Sequence, residues 1–172
     1  MSDRFESMEI TDKRLSPILE GLFKEYKTIY GGYFSWVIEE DKNEDYRLPN
    51  GAVWVLWRNN NIIAMGAFKP FSDKTAEFKR IWTEPSLRQQ GLASKMLEQL
   101  ELSAYLLGYQ NVYLSTGFKQ IAAVKLYLKQ GYCPQFELSE QYEHLSHPPY
   151  DGRLRFTKSL FIEKQHLIAS IA

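Results

Sequence analysis

The spacing of apolar residues changes period several times along this chain. Leu15, Ile18, Leu19, Leu22, Phe23 and Tyr26 recur near helical spacing, which predicts a helix from Pro17 to about Tyr30, closed by Gly31-Gly32. Three strand-like runs follow. Gly51 to Arg58 (GAVWVLWR) and Ile62 to Phe68 (IIAMGAF) flank Asn59-Asn60-Asn61, which is turn chemistry because asparagine tolerates positive φ. A second turn over Lys69–Lys74 leads into Thr75–Thr83 (TAEFKRIWT), so the three runs read as an antiparallel meander. After Pro85 the period is helical again, with Leu92, Met96, Leu100, Ala104 and Leu107 on one stripe and Gly108 as the cap. Asn111–Thr116 (NVYLST) reads as a short strand and Ile121–Gln130 as another helix, closed by Gly131. Tyr132–Leu138 and Leu154–Phe161 read as late strands around a loop, Ser146–Gly152.

Strand, helix and strand in succession require a crossover, which makes Thr75–Thr83 and Asn111–Thr116 parallel neighbours. The expected class is α/β (α+β): one mixed, mostly antiparallel sheet with a parallel pair and helices on both faces. The expected organisation is a single domain over 1–172. It divides into an N-terminal helical region (1–50), a core (51–138) and C-terminal strands (139–172). At 172 residues, two separate cores would be cramped.

Composition narrows the function. Apolar residues at 44% and aromatics at 15% supply a sizeable core. No apolar run has the length of a membrane span. Met1–Thr11 is mixed and charged, unlike a targeting segment, and Cys133 is the lone cysteine; together these point to the cytoplasm. Three histidines and one cysteine argue against a metal site. A formal net charge of zero argues against a nucleic-acid binder. The charge is unevenly spread: 7 basic against 11 acidic residues over 1–50, and 10 against 5 over 51–134. The basic middle suits a small anionic ligand, and chance clustering accounts for it equally well.

Arg88-Gln89-Gln90-Gly91-Leu92-Ala93 is the most informative stretch, because it joins a strand to an amphipathic helix. The first N–H groups of a helix lack intrahelical partners and carry the positive end of the dipole. A glycine there lets a ligand approach the backbone, which is how a pyrophosphate is held with little more than main chain. A plain loop opening a helix would read the same. The chain has no G-x-x-x-x-G-K-[ST] and no G-x-G-x-x-G, which speaks against phosphate-loop NTPases and dinucleotide enzymes.

R-x-x-G-x-A between a strand and this helix resembles the cofactor motif of the GNAT superfamily of N-acetyltransferases. About 40 residues further on, Gln120-x-x-Ala123-x-x-x-Tyr127-x-x-x-Gly131-Tyr132 resembles the family's second signature. The resemblance is close over 51–138, loose over 1–50, and a match only in kind for the C-terminal strands. It implies acetyl-CoA as cofactor and direct transfer of its acetyl group, through a tetrahedral intermediate, to the amine of a small-molecule or amino-acid-like acceptor. It further implies that Arg88, Gln89, Gln90, Gly91, Leu92, Ala93 and Ser94 hold the pyrophosphate. Ile81, Trp82 and Thr83 would pair with the pantetheine arm, and Gln120 and Ala123 would approach it. Ala93 stands where many members have glycine, and Gln120 where asparagine is frequent.

An alkyl amine has a pKa of about 10, so a base must take its proton, and a weak acid must protonate the leaving thiolate. Tyr127 matches the family's acid, though it also reads as a core aromatic. Glu77, 11 residues before Arg88, is the candidate base, with a cross-strand ion pair as its plain alternative. Strict alternation would place Thr75, Glu77, Lys79 and Ile81 on one face of their strand, and Phe78, Arg80 and Trp82 on the other. Cys133 reads as a small buried residue.

The acceptor side would draw on Tyr26, Tyr30, Tyr33, Phe34 and Trp36, with the loop from His144 to Arg153. Glu39–Asp45 reads mainly as a solvated loop, although it could attract a cationic amine. Arg153 and Arg155 could meet a carboxylate. The partner expected is a small-molecule amine, without nucleic acid or membrane; a homodimer is compatible with the sequence. A protein or peptide N-acetyltransferase and a non-catalytic acyl-CoA-binding module are the alternatives.

Overall fold

A computed structural model describes residues 2–31 and 41–160. Its strands are β1 (Arg4–Ser7), β2 (Ala52–Arg58), β3 (Asn61–Pro70), β4 (Thr75–Thr83), β5 (Asn111–Gly117), β6 (Cys133–Pro134) and β7 (Arg153–Ser159). The helices are α1 (Ser16–Tyr30), α2 (Leu92–Leu106) and α3 (Ile121–Lys129). One seven-stranded sheet runs in the order β1-β2-β3-β4-β5-β7-β6. β1 to β4 pair antiparallel, β4 and β5 pair in parallel, and β7 pairs antiparallel with both β5 and β6. The meander and the parallel crossover stand as the sequence implies.

Each face of the sheet has its own core. Ile18 and Leu15 from the α1 side pack with Met8, Val53, Val55, Met65, Ala67 and Tyr46. On the opposite face Leu92, Met96, Leu97, Leu100 and Ala104 of α2 pack on Phe68 and Phe78, and Tyr127 and Val124 of α3 extend the same cluster over Leu154 and Phe156. Asn59 takes the left-handed conformation at the β2–β3 turn, as its short polar side chain permits.

Five sequence expectations need correction. β1 was not foreseen, because RFES is a short edge strand with a single apolar residue and no alternation. The strand expected over Tyr132–Leu138 shrinks to Cys133–Pro134, where pairing with β7 stops. Cys133 is exposed, because it faces outward on this edge while Tyr132 takes the buried place. The last strand ends at Ser159, and Phe161 lies outside the described residues.

The fifth correction concerns β4. Met65 pairs with Trp82 and Ala67 with Lys79, so Arg80 and Ile81 together oppose Gly66. This is a β-bulge, and Arg80 takes a positive φ of 58° to make it. Alternation resets there. Lys79 and Arg80 both turn toward the α1 face and reach Asp41, while Ile81 joins the α2-side core and Trp82 packs with the α1-side core.

Candidate active site

β4 and β5 pair only over Thr75–Glu77 with Asn111–Tyr113. Beyond Glu77 the bulged β4 bends away, and the strands part into a cleft of about 710 Å³. One wall is the end of β4, with Ile81, Trp82 and Thr83. The other is the end of β5 and the start of α3, with Thr116, Gln120 and Ala123. α1 covers one side with Leu22, Glu25 and Tyr26, and Tyr127 of α3 closes the interior. The facing edges of β4 and β5 carry main-chain groups that no strand pairs across the split, a surface suited to an extended polar chain.

The first turn of α2 opens into this cleft through Gly91, Leu92, Ala93 and Ser94, next to Arg88 and Gln89. Gly91 is the N-cap, with φ 79°, and no side chain caps the helix. Gln89 also has a positive φ, 66°. Two left-handed residues within three positions curl the backbone into a concave nest of N–H groups beneath the positive end of the helix dipole. An anionic phosphate fits that cradle. A Cβ built on Gly91 meets nothing within 4 Å, so its φ, rather than crowding, requires the glycine in the protein by itself.

Tyr127 is 7% exposed and packs edge-on to Phe156, with ring centres 5.3 Å apart. Burial raises its pKa well above the ordinary phenol value, with a further contribution from nearby Tyr26. The hydroxyl therefore keeps its proton through the neutral range. Tyr26, shifted upward by burial as well, is hydrogen-bonded to Gln120.

Gln120 caps α3 with its side chain turned inward. Its Oε1 accepts from Thr116 Oγ1 at 2.7 Å, Gly117 N at 2.9 Å and Tyr30 Oη at 3.2 Å. Tyr30 Oη in turn accepts from Lys119 N at 3.3 Å. Gly117 is needed for this close approach, because a Cβ there would lie 2.0 Å from Tyr30 Oη. Gln120 thus fastens α1 to the end of β5, a role that local sequence gives no sign of.

Arg88 sits at the mouth. Its two terminal nitrogens each lie 3.0 Å from a carboxylate oxygen of Glu25 on α1.

Of the residues the sequence singled out, Ile81, Trp82, Thr83, Arg88, Gln89, Gly91, Leu92, Ala93, Ser94, Gln120, Ala123 and Tyr127 line the cleft together. Gln90 is exposed and does not line it. Glu77 does not line it either. It stands opposite Lys69 and beside Tyr113, in the last parallel pair before the strands part.

Lys42, Asn43 and Glu44 of the acidic loop are exposed as expected, but Asp41 is tied down. The side chain of Asp41 is 5% exposed and pairs with Lys69 at 2.9 Å, Lys79 at 3.1 Å and Arg80 at 3.6 Å, and it accepts from Tyr46 Oη. Burial raises the Asp41 pKa, but the bonds from Tyr46, Lys69 and Lys79 outweigh it and leave the value at about 2. Glu39, Glu40, Tyr33, Phe34 and Trp36 lie outside the described residues. A second cavity, of about 500 Å³, lies against β7 and holds Arg153, Arg155, His144 and Tyr150. Arg155 is clasped there by Asp151 at 2.7 Å.

Comparison with known proteins agrees with this geometry. A family model described as the acetyltransferase (GNAT) family matches residues 18–132. An uncharacterized N-acetyltransferase of Escherichia coli K12, YedL, is 31% identical over 89 residues, covering 51% of this chain and 56% of that protein. The chain thus matches little more than half the length of this curated relative. A PaiA N-acetyltransferase from Thermoplasma acidophilum, solved in complex with coenzyme A, superposes with a TM-score of 0.68 at 15% identity, covering 92% of this chain and 99% of that one. A GNAT-family acetyltransferase from Staphylococcus aureus gives 0.66 at 14% identity, over 92% and 99%. At such identities the superpositions speak for the fold, while the family match covers most of the chain and includes both motifs. With a family model matching residues 18–132, and with the backbone nest, the split sheet and the buried phenol in one cleft, the chain belongs to the acetyltransferase (GNAT) family.

Proposed function

We propose that this protein is an N-acetyltransferase that moves the acetyl group of acetyl-CoA onto the amine of a small, charged acceptor. One observation carries the reading: the uncapped start of α2, the unpaired edges of β4 and β5, and Tyr127 all line one cleft. The cleft residues fit the cofactor's parts. The nest from Gln89 to Ser94 suits a pyrophosphate, and the β4 edge at Ile81–Thr83 suits an amide-bearing arm. Acetyl-CoA supplies the activated thioester when bound.

The chain's own residues supply the rest. Main-chain N–H groups of β4 beyond the bulge are fixed donors for a carbonyl oxygen that gains charge. Tyr127 holds a proton at Oη, kept there by burial, and releases it to the departing sulfur. Glu77 is our candidate to draw the proton from the amine, directly or through water. It stands at the vertex of the split, on the face bearing Lys69. Gln90 serves the loop through its backbone alone.

Our choice of a small acceptor rests on the second cavity, whose volume of about 500 Å³ is in the range of a small-molecule site. Coenzyme A release, measured with a panel of amines, amino acids and peptides, tests the proposal. Turnover with small amines supports it. Turnover confined to peptides overturns the acceptor class, and coenzyme A binding without turnover on any amine overturns the enzymatic reading.

A further inference from the structure

Two helices frame the cleft, and Gln130 ties one to the other. It caps the C-terminus of α3. Its Nε2 donates to Ser94 Oγ, in the first turn of α2, at 3.0 Å. Its backbone carbonyl accepts from Lys158 Nζ at 2.6 Å. Lys158 projects from β7 into the interior, where its ammonium also lies 3.1 and 3.3 Å from the carboxylate oxygens of Glu101 on α2. Tyr132 Oη donates to Glu101 Oε2 at 2.8 Å, and its ring centre is 5.2 Å from the Lys158 ammonium. Glu101 is 1% exposed and Lys158 9%.

A buried ion pair is a poor device for stability alone. Desolvation offsets much of its attraction, and a well-packed neutral pair often does as well. What directional bonds add is registry. α3 is nine residues long, and Tyr127 lies one turn before its cap. Apolar packing by itself would allow so short a helix to slide. The ammonium also sits where the helix dipole favours a cation.

We propose that Lys158, held by Glu101, is a positioning residue for the transfer reaction. It pins the end of α3 against α2, and so sets where the Tyr127 hydroxyl stands relative to the phosphate nest. The catalytic part of this proposal rests on the acid role of Tyr127, and the binding part does not.

The test is the double variant Glu101→Gln/Lys158→Met. Glutamine still accepts from Tyr132, methionine fills the stem of the lysine, and no unpaired charge is left inside. Three quantities are measured: the melting temperature, the Kd for coenzyme A, and kcat at saturating acetyl-CoA. The melting temperature should change by a few degrees at most. The Kd should rise and kcat should fall, the latter by about tenfold, as a small misplacement of reacting groups predicts. Placed in a Tyr127→Phe background, the pair should lower kcat no further. Wild-type Kd and kcat in a folded double variant overturn the proposal. An undiminished kcat loss in the Tyr127→Phe background overturns the route through Tyr127. If the double variant does not fold, Gln130→Leu decides, since it removes only the link to Ser94: a raised Kd at unchanged melting temperature supports the clamp, and an unchanged Kd overturns it. Should Tyr127→Phe retain full kcat, the acid role fails on its own, and the Kd still decides the clamp.

Discussion

Glu25 and Arg88 hold each other across the mouth of the cofactor cleft, with both guanidinium nitrogens 3.0 Å from carboxylate oxygens. Both side chains are about 40% exposed, so the pair adds little to folding. Its importance is electrostatic, because a carboxylate stands beside the helix start that we propose as the pyrophosphate site. Glu25→Gln should therefore tighten coenzyme A binding by roughly threefold to tenfold at low salt. The gain should shrink as salt is added. Calorimetric titration at two ionic strengths checks this, and a weaker Kd in the variant would show that the tether to α1 matters more than the charge.

Gly91→Val should cost about 1–2 kcal/mol of folding stability, since a β-branched residue would be forced into the left-handed region. Its larger effect should be on coenzyme A affinity, because the nest depends on that φ. Denaturant unfolding and ligand titration separate the two. Unchanged affinity would remove the loop from the pyrophosphate site.

Tyr127→Phe deletes one hydroxyl and keeps the ring packed against Phe156 and Tyr132. If that hydroxyl protonates the leaving sulfur, kcat should fall by about 100-fold, with little change in KM for acetyl-CoA. Steady-state kinetics measures it. Wild-type kcat would return Tyr127 to a purely packing role.

The Asp41 cluster makes stability depend on acid. Its pKa of about 2 lies below the ordinary 3.8, so its contribution is complete above pH 4 and is lost as the pH falls toward 2. Asp41→Asn leaves Lys69, Lys79 and Arg80 facing one another without their shared carboxylate. It should destabilise by on the order of 2 kcal/mol at pH 7. The gap between variant and wild type should narrow below pH 4. Urea titrations at pH 7 and pH 3 give the comparison, and a gap independent of pH would assign the cost to packing.

The glycine-opened start of α2 was legible in the sequence because its causes are local: one glycine, one change of period, one helix start. The same holds for the meander and for the helix that carries Tyr127. The bulge in β4 was not legible, because TAEFKRIWT alternates plausibly in either register, and only pairing with Gly66 shows where the extra residue sits. The pairing of Asp41 is invisible in its own stretch of sequence, because its three cations come from two strands far along the chain. Glu101 and Lys158 are 57 positions apart and belong to different elements, so no window on the sequence joins them. Cys133 was placed inside on residue type, whereas its position on an edge strand decides otherwise.

One surplus residue in β4 has an effect out of proportion to its size. Arg80 and Ile81 share a single opposite number, Gly66, on the stretch of β4 that has left β5 after Glu77. The binding cavity is thus a miscount written into the chain, rather than a hole carved from a finished sheet. Shortening β4 by Arg80 would restore even alternation, let the two parallel strands close on each other, and leave a sounder sheet with nowhere to put a ligand. The β2–β3 pair carries a register shift of its own at Leu56/Trp57, well inside the paired sheet; in β4 the irregular count is what the protein has to preserve.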